Sequence, residues 1–213
     1  MTKTLHDMKN YKFVLPALAL ILLITISCEK QSDEIRPVFN LGQPDFIDDE
    51  NYEIYSLIIN EGFTSEKIVI AQKSIDNIEV EYQIDFFEYI AENNPDFDTL
   101  LIENLNNLSQ DSVLFDNKFT GDNKEIYLIS SAEISYIFDS EDIDANWEEF
   151  YQEYENSNGI IRFSQIGFNE DKTQSVLEIS YKYGTLGGEG YIIYLIKQND
   201  NWVMKDMILT WLA

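Results

Sequence analysis

The apolar and polar positions divide the chain into an apolar leader, a polar stretch and a long patterned region. Residues 13–26 form an apolar run broken only by Pro16 and Thr25. Residues 29–44 are polar and charged, contain Pro37, Gly42 and Pro44, and show no period, which predicts a tether. A helical period then covers 48–61, with Tyr52, Tyr55, Ile58 and Ile59 on one stripe and Gly62 at the stop. Residues 67–71 read as a short strand. Segments 85–93 and 95–108 read as helices, facing the core with Phe86, Phe87 and Ile90 in the first and Leu100, Leu101, Leu105 and Leu108 in the second. Residues 111–124 read as a loop and 125–129 as a strand. Ser130 followed by Glu133 is a capping-box pattern opening a brief helix to Phe138. A longer helix over 145–156 carries Trp147, Phe150, Tyr151 and Tyr154 on one stripe, with Asp144 as its N-cap and an acidic opposite face.

The C-terminal part reads as four strands, 160–168, 174–183, 191–198 and 202–211. In the second, Leu177, Ile179, Tyr181 and Tyr183 alternate with Val176, Glu178, Ser180 and Lys182. Turn chemistry at Asn169–Lys172 and at Asn199, Asp200 and Asn201 separates the strands. Consecutive strands with short turns predict an antiparallel meander. Helices first and strands last predict an α+β fold, with the helices on one face of a four-stranded sheet. Trp211 is expected to be buried against the helix carrying Trp147 and Phe150.

The leader sets the address. Lys3, Lys9 and Lys12 precede the apolar run, and its length fits the roughly 7–15-residue core of a secretory signal. It is short of the about 20 residues that a membrane span needs. The start is Met1 or Met8; a chain beginning at Met8 would lose Asp7 from its basic end. The sequence Thr25-Ile26-Ser27-Cys28 resembles the lipobox of bacterial lipoproteins, with Thr25 where Leu is usual. Cys28 is the single Cys of the chain and stands where lipidation requires it, so it is the expected lipidation site and membrane anchor. The organisation expected is a signal peptide at 1–27, an acidic tether at 28–45 and one α+β domain at 46–213. Acids at Glu29, Asp33 and Glu34 resemble the export tract that sends some Bacteroidetes lipoproteins to the cell surface; a solvated linker accounts for the same residues.

Composition then narrows the chemistry. The 213-residue chain carries a formal charge of −25. Without residues 1–27, which hold three Lys and one Asp, 11 basic and 38 acidic residues remain, a net −27. Nucleic acid is excluded as a partner, because phosphate binding needs clusters of Lys and Arg. His6 lies in the leader, so His-dependent nucleophile systems and ordinary zinc sites are not expected. No metal, cofactor or catalytic residue is assigned. Carboxylate chemistry survives, but among 38 acids some pair adjoins in any fold.

Three motifs invite function. Asp142, Asp144 and Asn146 occupy positions one, three and five of a calcium loop, with Glu153 at twelve. Position six, which needs Gly, is Trp147, and a helix explains the same residues. The segment 184–190 is Gly-rich, but strands flank it and Glu189 repels anions; we expect a hairpin loop whose glycines adopt positive φ. Asp98-Thr99-Leu100 and Asp111-Ser112-Val113 match a short O-glycosylation pattern seen in Bacteroidetes exported proteins.

The stretch 147–213 resembles a C-terminal module of uncharacterised bacterial, Bacteroidetes-like secreted proteins and lipoproteins. The resemblance rests on Trp147, Phe150 and Tyr151, the run Gly159-Ile160-Ile161-Arg162-Phe163-Ser164-Gln165-Ile166-Gly167-Phe168-Asn169, the Gly-rich segment, Trp202 and Trp211. Some relatives carry two Cys where Tyr183 and Gly187 stand here, so a disulfide bracing that segment is absent. The resemblance implies a fold and no activity. Together these readings lead us to expect a lipid-anchored acidic protein of the outer membrane, acting as a non-catalytic binding, inhibitor or immunity-like domain toward a basic protein. The competing expectation is an envelope hydrolase using paired carboxylates.

Overall fold

The computed structural model describes residues 36–78 and 84–213; the leader, Cys28 and the tether up to residue 35 lie outside them. The described part is α+β. Its helices are α1 (Asp49–Gly62), α2 (Ile84–Asn93), α3 (Leu100–Leu108), α4 (Ser131–Ile137) and α5 (Ile143–Glu153). Its strands are β1 (Lys67–Ala71), β2 (Glu125–Ile129), β3 (Ser157–Phe163), β4 (Gly167–Phe168), β5 (Gln174–Gly184), β6 (Gly187–Gln198) and β7 (Asn201–Leu212).

All seven strands form one sheet in the order β2-β1-β3-β5-β6-β7, with β4 also on β5. The expected four-stranded antiparallel meander is therefore corrected to a larger, mixed sheet. Strands β3, β5, β6 and β7 do run antiparallel in succession, but β1 pairs parallel with both β2 and β3. The expected strand over 160–168 is also broken. Ser164 interrupts it, accepting the Glu178 amide on its own hydroxyl at 2.8 Å, and the track resumes as β4.

Helices cover both faces, not one. On the first face α1 packs Ile54, Tyr55, Ile58 and Ile59 against Ile68, Ile70, Ile161, Phe163, Leu177, Ile179, Ile193 and Leu195 of the sheet. The loop before β2 contributes Phe115 and Phe119 to this layer. On the second face α2 and α3 cover Val176, Ile192 and Tyr194. There α4 and α5 cover Val69, Ala71, Ile129 and Ile160 with Ile137, Trp147, Phe150 and Tyr154. Each strand thus alternates between two cores, as a strand period of two requires.

Local chemistry explains the element ends. Asp142, not Asp144, caps α5, its carboxylate accepting the Ala145 amide at 3.2 Å. Pro95 lies in a turn ahead of α3, which starts only at Leu100; Leu101 and Leu105 are buried while Leu100 and Leu108 face solvent. Asn199 and Asp200, at φ 50° and 62°, form the two-residue turn that joins β6 to β7. Glu50 ties the start of α1 to that hairpin through Lys197 at 2.5 Å and the Trp202 indole N–H at 3.2 Å. Burial works against the Glu50 charge, but Lys197, Trp202 and Lys172 outweigh it and hold the carboxyl below its usual range.

Residues from Phe39 onward, within the expected tether, pack on the folded domain. The Phe39 ring packs on Tyr136 at 5.1 Å. The Gln72 side chain accepts from the Gly42 amide at 2.7 Å and donates to its carbonyl at 2.8 Å. Asp45 and Leu114 exchange two further bonds of 2.9 and 2.8 Å. Truncation after Asp45 is therefore expected to lower the melting temperature by roughly 3–6 °C relative to truncation after Val38. Equal melting temperatures for the two truncations would refute that docking.

Candidate functional site

The second sheet face is covered in two halves, and a cavity of about 540 Å³ opens beside the α4–α5 half. Ala71 of β1, Ile160 of β3 and Gly188 of β6 contribute to its floor. Phe138 and Trp147 line it from the α4–α5 side and Trp211 from β7. Its size is that of a small-molecule pocket.

The β5–β6 hairpin shapes one rim. Strand β5 ends at Gly184 and β6 begins at Gly187, so only Thr185 and Leu186 form the turn. The Gly-rich segment is mostly strand, and the positive φ expected there is not found; among the described glycines it occurs only at Gly159. The physical reason for these glycines is different. Trp211 lies directly across the ladder from Gly190, and a Cβ on Gly190 would land inside the indole. A Cβ on Gly188 would sit 3.1 Å from the same ring. The bare backbone of β6 is a bed for a flat aromatic side chain. Trp211 is accordingly half-buried on that bed and lines the cavity, instead of packing into the Phe150 core.

The hairpin is fastened to α5. The Thr185 hydroxyl donates to the Asp144 carboxylate, and the Tyr151 hydroxyl donates to the Tyr183 carbonyl at 2.9 Å. Burial raises the Tyr151 phenol above its ordinary range, so the donor proton stays in place at neutral pH.

The charge of the cavity opposes that of the chain. Lys73, Arg162 and Lys182 line it, and among the described residues no Asp or Glu does, although acids outnumber bases 39 to 14 overall. Arg162 and Lys182 share one sheet face as diagonal neighbours, because Ile160 pairs with Lys182 and Arg162 with Ser180. Lys73 follows the end of β1 and pairs with Asp76 at 2.9 Å. The Lys73 hydrogen bond outweighs the slight burial of Asp76 and, with the charges of Lys73 and Arg162, holds that carboxyl below its usual range. Among the described residues, neither Arg162 nor Lys182 has a carboxylate within ion-pair distance.

A second feature is the outer face of α5 with the turn that follows it. Asp144, Glu148 and Glu155 surround Tyr151 and Gln152 on an open, shallow surface next to Trp147.

The residues singled out by sequence fall as follows. Cys28 lies outside the described residues. Asn146 is buried and spends its amide on the Ser140 carbonyl at 2.9 Å, and Asp142 is a helix cap. These roles belong to a helix start. Thr99 is exposed ahead of α3, and Ser112 is half-buried. The cationic cavity was missed. Its signal was faint but present: Arg162 interrupts Ile160-Ile161-Arg162-Phe163 on the same phase as Ile160, where a core-facing side chain is due.

Compared with known proteins, the chain matches no family model, no curated protein and no solved structure.

Proposed function

We propose that this is a lipid-anchored protein of the bacterial outer membrane whose folded domain binds a basic protein and performs no catalysis. The observation that carries the reading is the acidic outer face of α5, where Asp144, Glu148 and Glu155 frame Tyr151 on an open surface of a chain with net charge −25. Opposite charge accelerates encounter and selects the partner, while a half-buried aromatic gives contact area. The resemblance of 147–213 to a module of secreted bacterial proteins and lipoproteins is consistent with display at the envelope.

A hydrolase with paired carboxylates would need two acids in a cleft, one with a raised pKa. The cavity is instead lined by three cations, and the carboxyls of Glu50, Asp76 and Asp171 are lowered. Binding is therefore the reading we adopt.

Two measurements test it. The native chain should partition into detergent, and Cys28→Ala should abolish this; a variant that stays with membranes after high-salt washing would remove the lipid anchor. Capture of a basic protein from envelope extracts should be lost when Asp144, Glu148 and Glu155 are changed together to Asn, Gln and Gln. Capture that survives those changes would rule out the α5 face.

A further inference from the structure

We propose that the cavity between Trp211 and the α4–α5 pair binds a small carboxylic acid with a flat apolar body. The groups that carry it, Lys73, Arg162, Lys182 and Trp211, are not those of the partner reading, so it stands or falls independently of that reading.

Three observations converge. The first is charge. Lys73, Arg162 and Lys182 meet at one cavity in a chain with 14 basic residues in all, and no acid side chain joins them there. Like charges repel, so the charge of Arg162 and Lys182, which no Asp or Glu side chain among the described lining residues balances, favours an anionic occupant. Asp76 engages Lys73 but leaves Arg162 and Lys182 without an ion pair among the described residues. The planar guanidinium of Arg162 can hold both oxygens of a carboxylate at once.

The second is shape and polarity. The volume of about 540 Å³ suits a small organic molecule better than a bare ion. Phe138, Trp147 and Trp211 supply flat apolar walls, and the Ser131, Ser135 and Thr185 side chains are the neutral polar groups. A ligand with a charged head and an aromatic or alicyclic body uses both kinds of lining.

The third is the construction of the Trp211 wall. Gly188 and Gly190 leave room for an indole laid flat on β6, and the Thr185–Asp144 and Tyr151–Tyr183 bonds hold the hairpin rim to α5. The fold spends backbone freedom and side-chain volume to place that ring. A wall fixed in advance lowers the ordering cost of binding.

The test uses the full chain in nanodiscs of zwitterionic lipid, with empty discs as the reference, titrated calorimetrically with 2-naphthoate and with its neutral analogue 2-naphthalenemethanol. Naphthoate is expected to bind one saturable site, and the alcohol at least about tenfold more weakly. Arg162→Met is expected to weaken naphthoate roughly tenfold. Lys182→Gln, at an exposed position where folding is not at stake, is expected to weaken it about threefold. Circular dichroism confirms that each variant is folded. If Arg162→Met does not fold, Lys182→Gln and the neutral analogue decide. The proposal is overturned by no saturable naphthoate binding up to about 1 mM, by equal affinity for acid and alcohol, or by folded variants that bind naphthoate unchanged.

Discussion

Gly159→Ala is expected to destabilise the protein by about 3–4 kcal/mol, adding backbone strain to a steric clash. Gly159 has φ +133°, a conformation that residues with a side chain rarely adopt. A Cβ there would land on the Lys182 carbonyl oxygen and lie 2.9 Å from the Tyr183 Cα. Both are backbone atoms of the neighbouring strand, so no side chain can swing away. The next residue, Ile160, pairs with Lys182 across the β3–β5 ladder, so relief of the clash would displace Lys182 and the rim of the cavity with it. For a domain of this size the loss corresponds to a fall of roughly 10 °C in melting temperature. Gly62 is the control. It closes α1 with nothing within 4 Å of a Cβ, so Gly62→Ala should be neutral or slightly stabilising. Urea melts of the two variants separate the cases. A Gly159→Ala protein within about 0.5 kcal/mol of the native one would show that the two strands do not approach as closely as described.

The same contrast explains how much of the architecture could be read from the sequence. Periodicity located α1, α2, β1 and β2 to within a residue or two, because each presents a regular stripe or run to a core. It did not reveal that β1 and β2 join the sheet, because parallel partners are linked by long crossovers and nothing local records the pairing. The expectation of helices on one face failed for a related reason. Strand β5 is buried at every position from Ser175 to Ile179, which is the mark of a strand covered twice, but the alternation of Glu178, Ser180 and Lys182 with apolar residues gave it the look of a half-exposed strand. In the loop before β2, Phe115 and Phe119 are fully or nearly buried. No period flags them, since irregular backbone imposes none.

The candidate site was less legible still. Its three cations come from β1's end, β3 and β5, separated by long stretches of chain, and only the sheet brings them together. The Gly-rich segment was visible, but glycine points to a turn by default, and here Gly188 and Gly190 serve an indole more than 20 residues away. That requirement appears only once β6 and β7 are paired in register.

The largest loss is expected at Tyr55, where helix, loop and sheet meet. It is 0% exposed, with ring centroids at 4.9 Å from Phe163, 5.2 Å from Phe115, 5.6 Å from Phe119 and 6.2 Å from Tyr52. Its hydroxyl donates to the Ser164 carbonyl at 2.8 Å, at the point where β3 breaks before β4. Burial pushes the phenol well above its ordinary range, so it remains a neutral donor throughout the working pH range. Tyr55→Ala should cost about 4 kcal/mol, the loss typical of emptying a large aromatic site. Tyr55→Phe keeps the packing and removes one donor from a buried carbonyl, which should cost about 1–2 kcal/mol. The difference between the two variants then separates packing from hydrogen bonding at one position. Both values follow from urea melts with an unchanged slope. A Tyr55→Phe protein as stable as the native one would mean that the Ser164 carbonyl finds another donor. The break between β3 and β4 would then rest on the two bonds between Ser164 and Glu178, from the Ser164 amide at 2.9 Å and from the Glu178 amide to the Ser164 hydroxyl at 2.8 Å.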